Sequence, residues 1–123
     1  MPAIERDTLF LIEPGFRDPA YGGPQGLRPD QAYLCPYCAA IEGVLAMYPD
    51  LARRIDVVRA PFARPRTAVI DLIGEENQTL PKLVLAGAAA EATGKHGDVS
   101  FVSGHDAILR ALATRHGFAY PHF

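Results

Sequence analysis

The only two cysteines of this 123-residue chain stand three apart, in Cys35-Pro36-Tyr37-Cys38, directly ahead of an apolar run with helical spacing. That arrangement constrains the local fold tightly. Pro36 fits the first turn of a helix, where its missing N–H leaves no bond unmade, and fits badly further in. Ile41, Val44 and Leu45 then recur at the three- and four-residue steps of one helix face. Residues i and i+3 are neighbours on such a face, so both sulfurs meet at the helix start. A disulfide spans Cα separations of about 4.4–6.8 Å, and one helical turn falls inside that range. Closing so short a loop removes little chain entropy, so the pair suits electron exchange better than stapling.

Composition narrows the function classes. A chain of this length is one domain's worth, residues 1–123, with room for a real core. Apolar residues make up 49%, which argues for a packed domain over disorder. A net charge of −2 and a pI near 6.0 give no electrostatic reason to expect nucleic acid or a membrane surface as partner. No apolar stretch approaches the roughly 18–20 residues of a membrane span. Glu5, Arg6 and Asp7 break up the N-terminal segment, which lacks the basic flank and apolar run of a signal peptide. The expected location is therefore cytoplasmic. In a reducing compartment a CxxC pair is catalytic or metal-binding more often than structural.

The rest of the chain reads as alternating strands and helices. Leu9-Phe10-Leu11-Ile12 is a short buried strand ending at Pro14-Gly15. The chain from Pro14 to Pro29 is dense in Pro and Gly, and residues 14–34 read as an inserted loop or lid. A helix runs from Cys35 or Pro36 to the stop at Pro49, and Ile55–Val58 is a second strand. A second helix is expected over Pro65–Ile73 with Gly74 ending it, then a third strand over Leu83–Leu85. Residues 86–98 read as a loose connection to a returning strand, Val99–Val102. Ser103 is the expected N-cap of a last helix that ends at Gly117.

With those residues in hand, the chain resembles the thioredoxin superfamily, and within it glutaredoxins and glutathione-transferase N-domains. Cys35-Pro36-Tyr37-Cys38 is similar to the glutaredoxin dithiol, and Leu80-Pro81 stands where these proteins keep a cis-proline beside it. Ser103-Gly104-His105-Asp106 opens the last helix, where they bind one end of glutathione. The segments Asp7-Thr8-Leu9-Phe10-Leu11, Pro14-Gly15-Phe16 and Gly74-Glu75-Glu76-Asn77-Gln78 resemble DUF3088 proteins, a bacterial family of unknown function. The resemblance implies an α/β, thioredoxin-like fold of the glutaredoxin type, a four-stranded mixed sheet flanked by three helices. It also implies a thiol–disulfide oxidoreductase in which Cys35 attacks and Cys38 resolves. Protein or glutathione disulfides would be the partners, with glutathione a co-substrate and no cofactor obligatory.

The resemblance further assigns substrate or glutathione contacts to Tyr37, Leu80, Pro81, Ser103 and Asp106. A cis Leu80–Pro81 bond would leave the Leu80 backbone free to pair with an extended substrate. Ser103 and Asp106 equally suit plain helix capping. Arg64, Arg66 and Gln78 could hold a second carboxylate of such a ligand, or simply be solvated. No metal site is expected, because two sulfurs fall short of the four ligands of structural zinc and the four histidines show no paired spacing. Phe118, Tyr120 and Phe123 either pack back onto the domain or make a homodimer contact. The rival to an enzyme is a binding scaffold of the same fold, with the 14–34 loop covering an inert dithiol.

Overall fold

The apolar run at the start of the chain becomes β1 (Thr8–Ile12), a strand buried along nearly its whole length. The computed structural model describes residues 4–21 and 30–123. A strand this apolar belongs inside a sheet covered on both faces. β1 pairs in parallel with β2 (Asp56–Ala60) and antiparallel with β3 (Lys82–Val84). β3 continues antiparallel to β5 (Val99–Ser103), which pairs with β4 (Gly94–His96). The mixed sheet therefore has five strands in the order β2-β1-β3-β5-β4.

Alternation along the strands sorts the core into two layers. On one face Leu9, Leu11, Leu83, Leu85 and Val102 meet α1 (Pro36–Met47) and α4 (His105–His116) through Cys38, Ile41, Leu45, Ile108 and Leu112. On the other, Phe10, Val84 and Phe101 meet α3 (Thr67–Ile73) through Val69 and Ile73. Fully burying each such side chain contributes about 1.5–3 kcal/mol. The heads of α1 and α4 share one end of the sheet with the turn that enters β3, and that end carries the site.

Several expectations need correction. The sheet has a fifth strand: β4 lies inside residues 86–98, where Thr93 N–H also donates to Phe101 O at 2.9 Å. Short, polar Gly94-Lys95-His96 carries no apolar alternation, so only pairing with β5 makes it a strand. Among the described residues the α-helices number four, because Pro49 both ends α1 and opens a four-residue α2 (Pro49–Ala52). The helix expected from Pro65 begins at Thr67, after a cis Arg64–Pro65 bond. Ser103 caps nothing: it is the last residue of β5, its N–H donates to Thr93 Oγ1 at 2.8 Å, and Gly104 (φ 89°) is the N-cap of α4.

Residues 22–29 of the expected loop lie outside the described residues. Its two ends are tied together, since Gly15 N–H donates to Tyr33 O and Tyr33 N–H to Phe16 O, each at 2.8 Å. Phe16 stacks on Phe62 with centroids 4.3 Å apart, fixing this segment against the stretch after β2. At the C-terminus Phe118 packs into the core, edge-on to Tyr48, whereas Phe123 lies under Arg110. No helix of the described residues is long and apolar enough to cross a membrane.

Candidate functional site

The dithiol forms because the chain turns from extended to helical at Cys35. That residue is the N-cap of α1, with Pro36 in the first turn, as the proline's fixed φ favours. The Cys35 Sγ accepts the Cys38 N–H at 3.2 Å, the role a Ser or Asp oxygen usually plays. Both cysteines are free thiols, Cys35 half-buried and Cys38 only 3% exposed.

Cys38 sits one turn inside, against β1, where its Sγ accepts the Ile12 N–H at 3.4 Å. Burial pushes its thiol up to about 12, with the hydrogen bond to Cys35 and the nearby Glu42 acting the same way and the Ile12 N–H opposing them. Glu42 is held by a bidentate pair with Arg59 (2.6 and 2.7 Å), which lowers its carboxyl and ties α1 to β2. The two sulfurs thus have unequal surroundings. They share a cavity of about 290 Å³ lined also by Ile12, Pro14, Leu34 and Glu42.

A second cleft of about 380 Å³ adjoins the motif through Tyr37. Tyr37 is 57% exposed and stacks on His105, the first residue of α4, at 4.9 Å between centroids. Thr79, Leu80, Pro81, Lys82, Ser103 and Gly104 complete the wall. The Leu80–Pro81 peptide is cis. Four of the residues singled out for substrate contact, Tyr37, Leu80, Pro81 and Ser103, therefore line one cleft. Asp106 does not; its carboxylate pairs with His105 Nε2 at 2.7 Å.

Arg66 and Gln78 are engaged with each other and with the backbone. Gln78 Oε1 accepts the Arg66 N–H at 2.7 Å and its Nε2 donates to Glu75 O, while Arg66 donates to the carbonyls of Pro61, Phe62 and Gln78. Arg66 is 4% exposed, with its proton affinity lowered by burial and then by Arg64. Both residues anchor the turn leading to Pro81.

The sequence reading gave no role to Lys82 or Asp7. Lys82 opens β3 and is only 3% exposed, a confinement that its place in the sequence does not signal. His105, in the segment expected to open the last helix, packs on Tyr37 of the motif. Asp7, directly before β1, is 2% exposed and accepts from Arg115 Nε (2.7 Å) and Nη2 (2.8 Å), His116 Nε2 (2.7 Å) and the Ala86 N–H (2.8 Å). Burial raises its carboxyl, but the Arg115, Ala86 and His116 hydrogen bonds outweigh it and the net shift is downward. This clamp joins the end of α4 to β1 at the far end of the sheet and belongs to stability.

Among the described residues no group of three or more His, Cys, Asp and Glu could hold a metal ion. Neither the curated proteins nor the solved structures contain a match to this chain. One family model, described as a protein of unknown function, matches residues 6–120, so the chain belongs to the DUF3088 family.

Proposed function

We propose that the protein is a thiol–disulfide oxidoreductase with a thioredoxin-like, glutaredoxin-type active site. The observation that carries this reading is the inequality of the two thiols: Cys35 at the helix cap beside a cleft, Cys38 buried behind it. The Cys35 thiolate attacks one sulfur of a substrate disulfide, forming a mixed disulfide and expelling a substrate thiolate. Cys38 then attacks Cys35 Sγ, giving its proton to the departing thiolate and releasing the second substrate thiol. The protein loses two electrons to the substrate and ends with a Cys35–Cys38 disulfide, which an external thiol reduces. Because Cys38 is held protonated near 12, it stays out of the first attack.

Tyr37 and the backbone beside the cis Leu80–Pro81 bond support the same reading, as surfaces for the group attached to the disulfide. Glutathione would fit as co-substrate. The test is a redox titration in glutathione buffers read by intact mass. Reversible loss of two hydrogens at roughly −200 to −270 mV is expected. Cys35→Ser should abolish exchange, while Cys38→Ser should still reduce glutathione mixed disulfides. Full activity in Cys35→Ser would refute the proposal.

One observation favours a scaffold instead. Pro14 and Leu34, from the two ends of the 14–34 segment, both border the cavity at the thiols. If this segment covers an inert dithiol, the thiols remain reduced throughout the titration and shortening the segment speeds their alkylation.

A further inference from the structure

The exchange chemistry proposed above leaves three neighbouring cations unused, of which Lys82 lines the cleft. Lys82 and Arg66 are 3% and 4% exposed, and both bind the turn that enters Leu80–Pro81. Arg66 Nη1 donates to Gln78 O at 2.7 Å, and Lys82 Nζ donates to Thr79 O and Oγ1 at 2.8 and 2.7 Å. Arg64, on the surface, is close enough to lower the proton affinity of both, and Arg66 is within electrostatic reach of both thiols. Among the described residues none of the three cations takes part in an ion pair. Cations buried against neutral partners stay electrostatically uncompensated, an arrangement that favours arrival of an anion.

Geometry distinguishes Lys82 from Arg66. The Arg66 guanidinium is occupied by three carbonyls, and it does not line the cleft. The Lys82 ammonium has three donors, of which Thr79 takes two. The Phe101 ring, 5.9 Å from Nζ, offers only partial compensation. Lys82 lines the cleft together with Ser103 and Gly104, and Gly104 begins α4 without a side-chain cap. Uncapped N–H groups there add to the same positive field. The cleft, about 380 Å³, falls within the roughly 300–1,000 Å³ of small-molecule sites.

We infer that Lys82 is the carboxylate-binding group of this cleft, and that the disulfides exchanged at Cys35 are small anionic ones bearing a carboxylate. The inference rests on the exchange reading, and its step balances in the same way. The substrate S–S bond breaks as Cys35–S–S–R forms, one carboxylate-bearing thiolate leaves, and Cys38 releases the second while the carboxylate stays on Lys82.

The test compares oxidation of the reduced protein by dithiodipropionate, hydroxyethyl disulfide and cystamine: anionic, neutral and cationic. Each rate is read as formation of the Cys35–Cys38 disulfide by intact mass and normalised to the reagent's rate with mercaptoethanol. Dithiodipropionate should lead hydroxyethyl disulfide by about tenfold, the low end for one charge-assisted hydrogen bond, with cystamine slowest. Lys82→Met keeps the buried stem, and it should bring the anionic-to-neutral ratio to near one. Equal normalised rates in the native protein, or a preference that survives Lys82→Met, overturn the inference. Propionate titrated into Cys35→Ser, followed by amide shifts, tests the site without thiol chemistry and without the lysine variant. Shifts at Lys82, Gly104 and His105 support it, and their absence overturns it. Inert thiols together with those shifts would refute the exchange reading alone.

Discussion

Alkylation of Cys38 gives the sharpest check on the unequal dithiol. The perturbation is pH, applied to Cys35→Ser so that only one thiol reports. Removing Cys35 takes away its contribution to the raised value, but burial, the largest cause, remains. A thiol at about 12 is ionised to about one part in 10,000 at pH 8, against about a quarter for an ordinary cysteine. Because that burial persists in Cys35→Ser, Cys38 should react with iodoacetamide at least about 100-fold more slowly in the folded protein than in guanidinium, before steric burial is counted. Its rate should also climb about tenfold per pH unit up to pH 10 without levelling, because only the thiolate reacts. Peptide mass spectrometry on timed, quenched samples measures both. A folded-state rate within about threefold of the unfolded one at pH 8, or a plateau near pH 8.5, would refute the reasoning.

Other expectations concern stability. Asp7→Asn removes the carboxylate that Arg115 grips with two bonds, leaving Arg115 with Glu91 at 3.8 Å. Breaking such a buried pair costs about 3 kcal/mol, or a fall of roughly 10 °C in Tm, measurable by circular dichroism. The Asp7 pKa is lowered from 3.8 in the folded state, so its contribution is present above that value and is lost as pH falls through the lower folded pKa. Wild type and Asp7→Asn should therefore converge in stability below pH 3.8; a constant gap down to pH 2 would contradict the assignment. Arg66→Met strips partners from the carbonyls of Pro61, Phe62 and Gln78, and should cost about 2 kcal/mol in urea unfolding even though it also removes a buried charge. Ser103→Ala should change stability by less than about 0.5 kcal/mol, because the hydroxyl caps no helix; a loss near 1 kcal/mol would restore the capping role.

Local chemistry made much of this fold legible. β1 could be read from four consecutive apolar residues, α1 from Pro36 with Ile41, Val44 and Leu45, and the ends of α3 and α4 from Gly74 and Gly117. Each is a decision the chain makes within one or two turns. The misreadings have the opposite origin. β4 exists only because β5 supplies its bonds, and Ser103 stays extended because Lys82 pairs with it across the sheet, moving the helix start to Gly104. Arg66 looked like a solvated base or ligand group, since its three carbonyl partners lie on a turn made by tertiary contact.

The same division holds at the site. The sequence by itself determined that two thiols share the first turn of a helix, because proline geometry and three-residue spacing are local. Tertiary structure decided that they are unequal, because burial of Cys38 depends on β1 packing over it. It alone brought Tyr37, the cis Leu80–Pro81 turn, Ser103 and His105 to one cleft, from segments as far apart as residues 37 and 105. Lys82 shows the reason most plainly. Whether an ammonium is solvated or confined with Thr79 is a matter of which surfaces close around it, and no spacing along the chain encodes that closure.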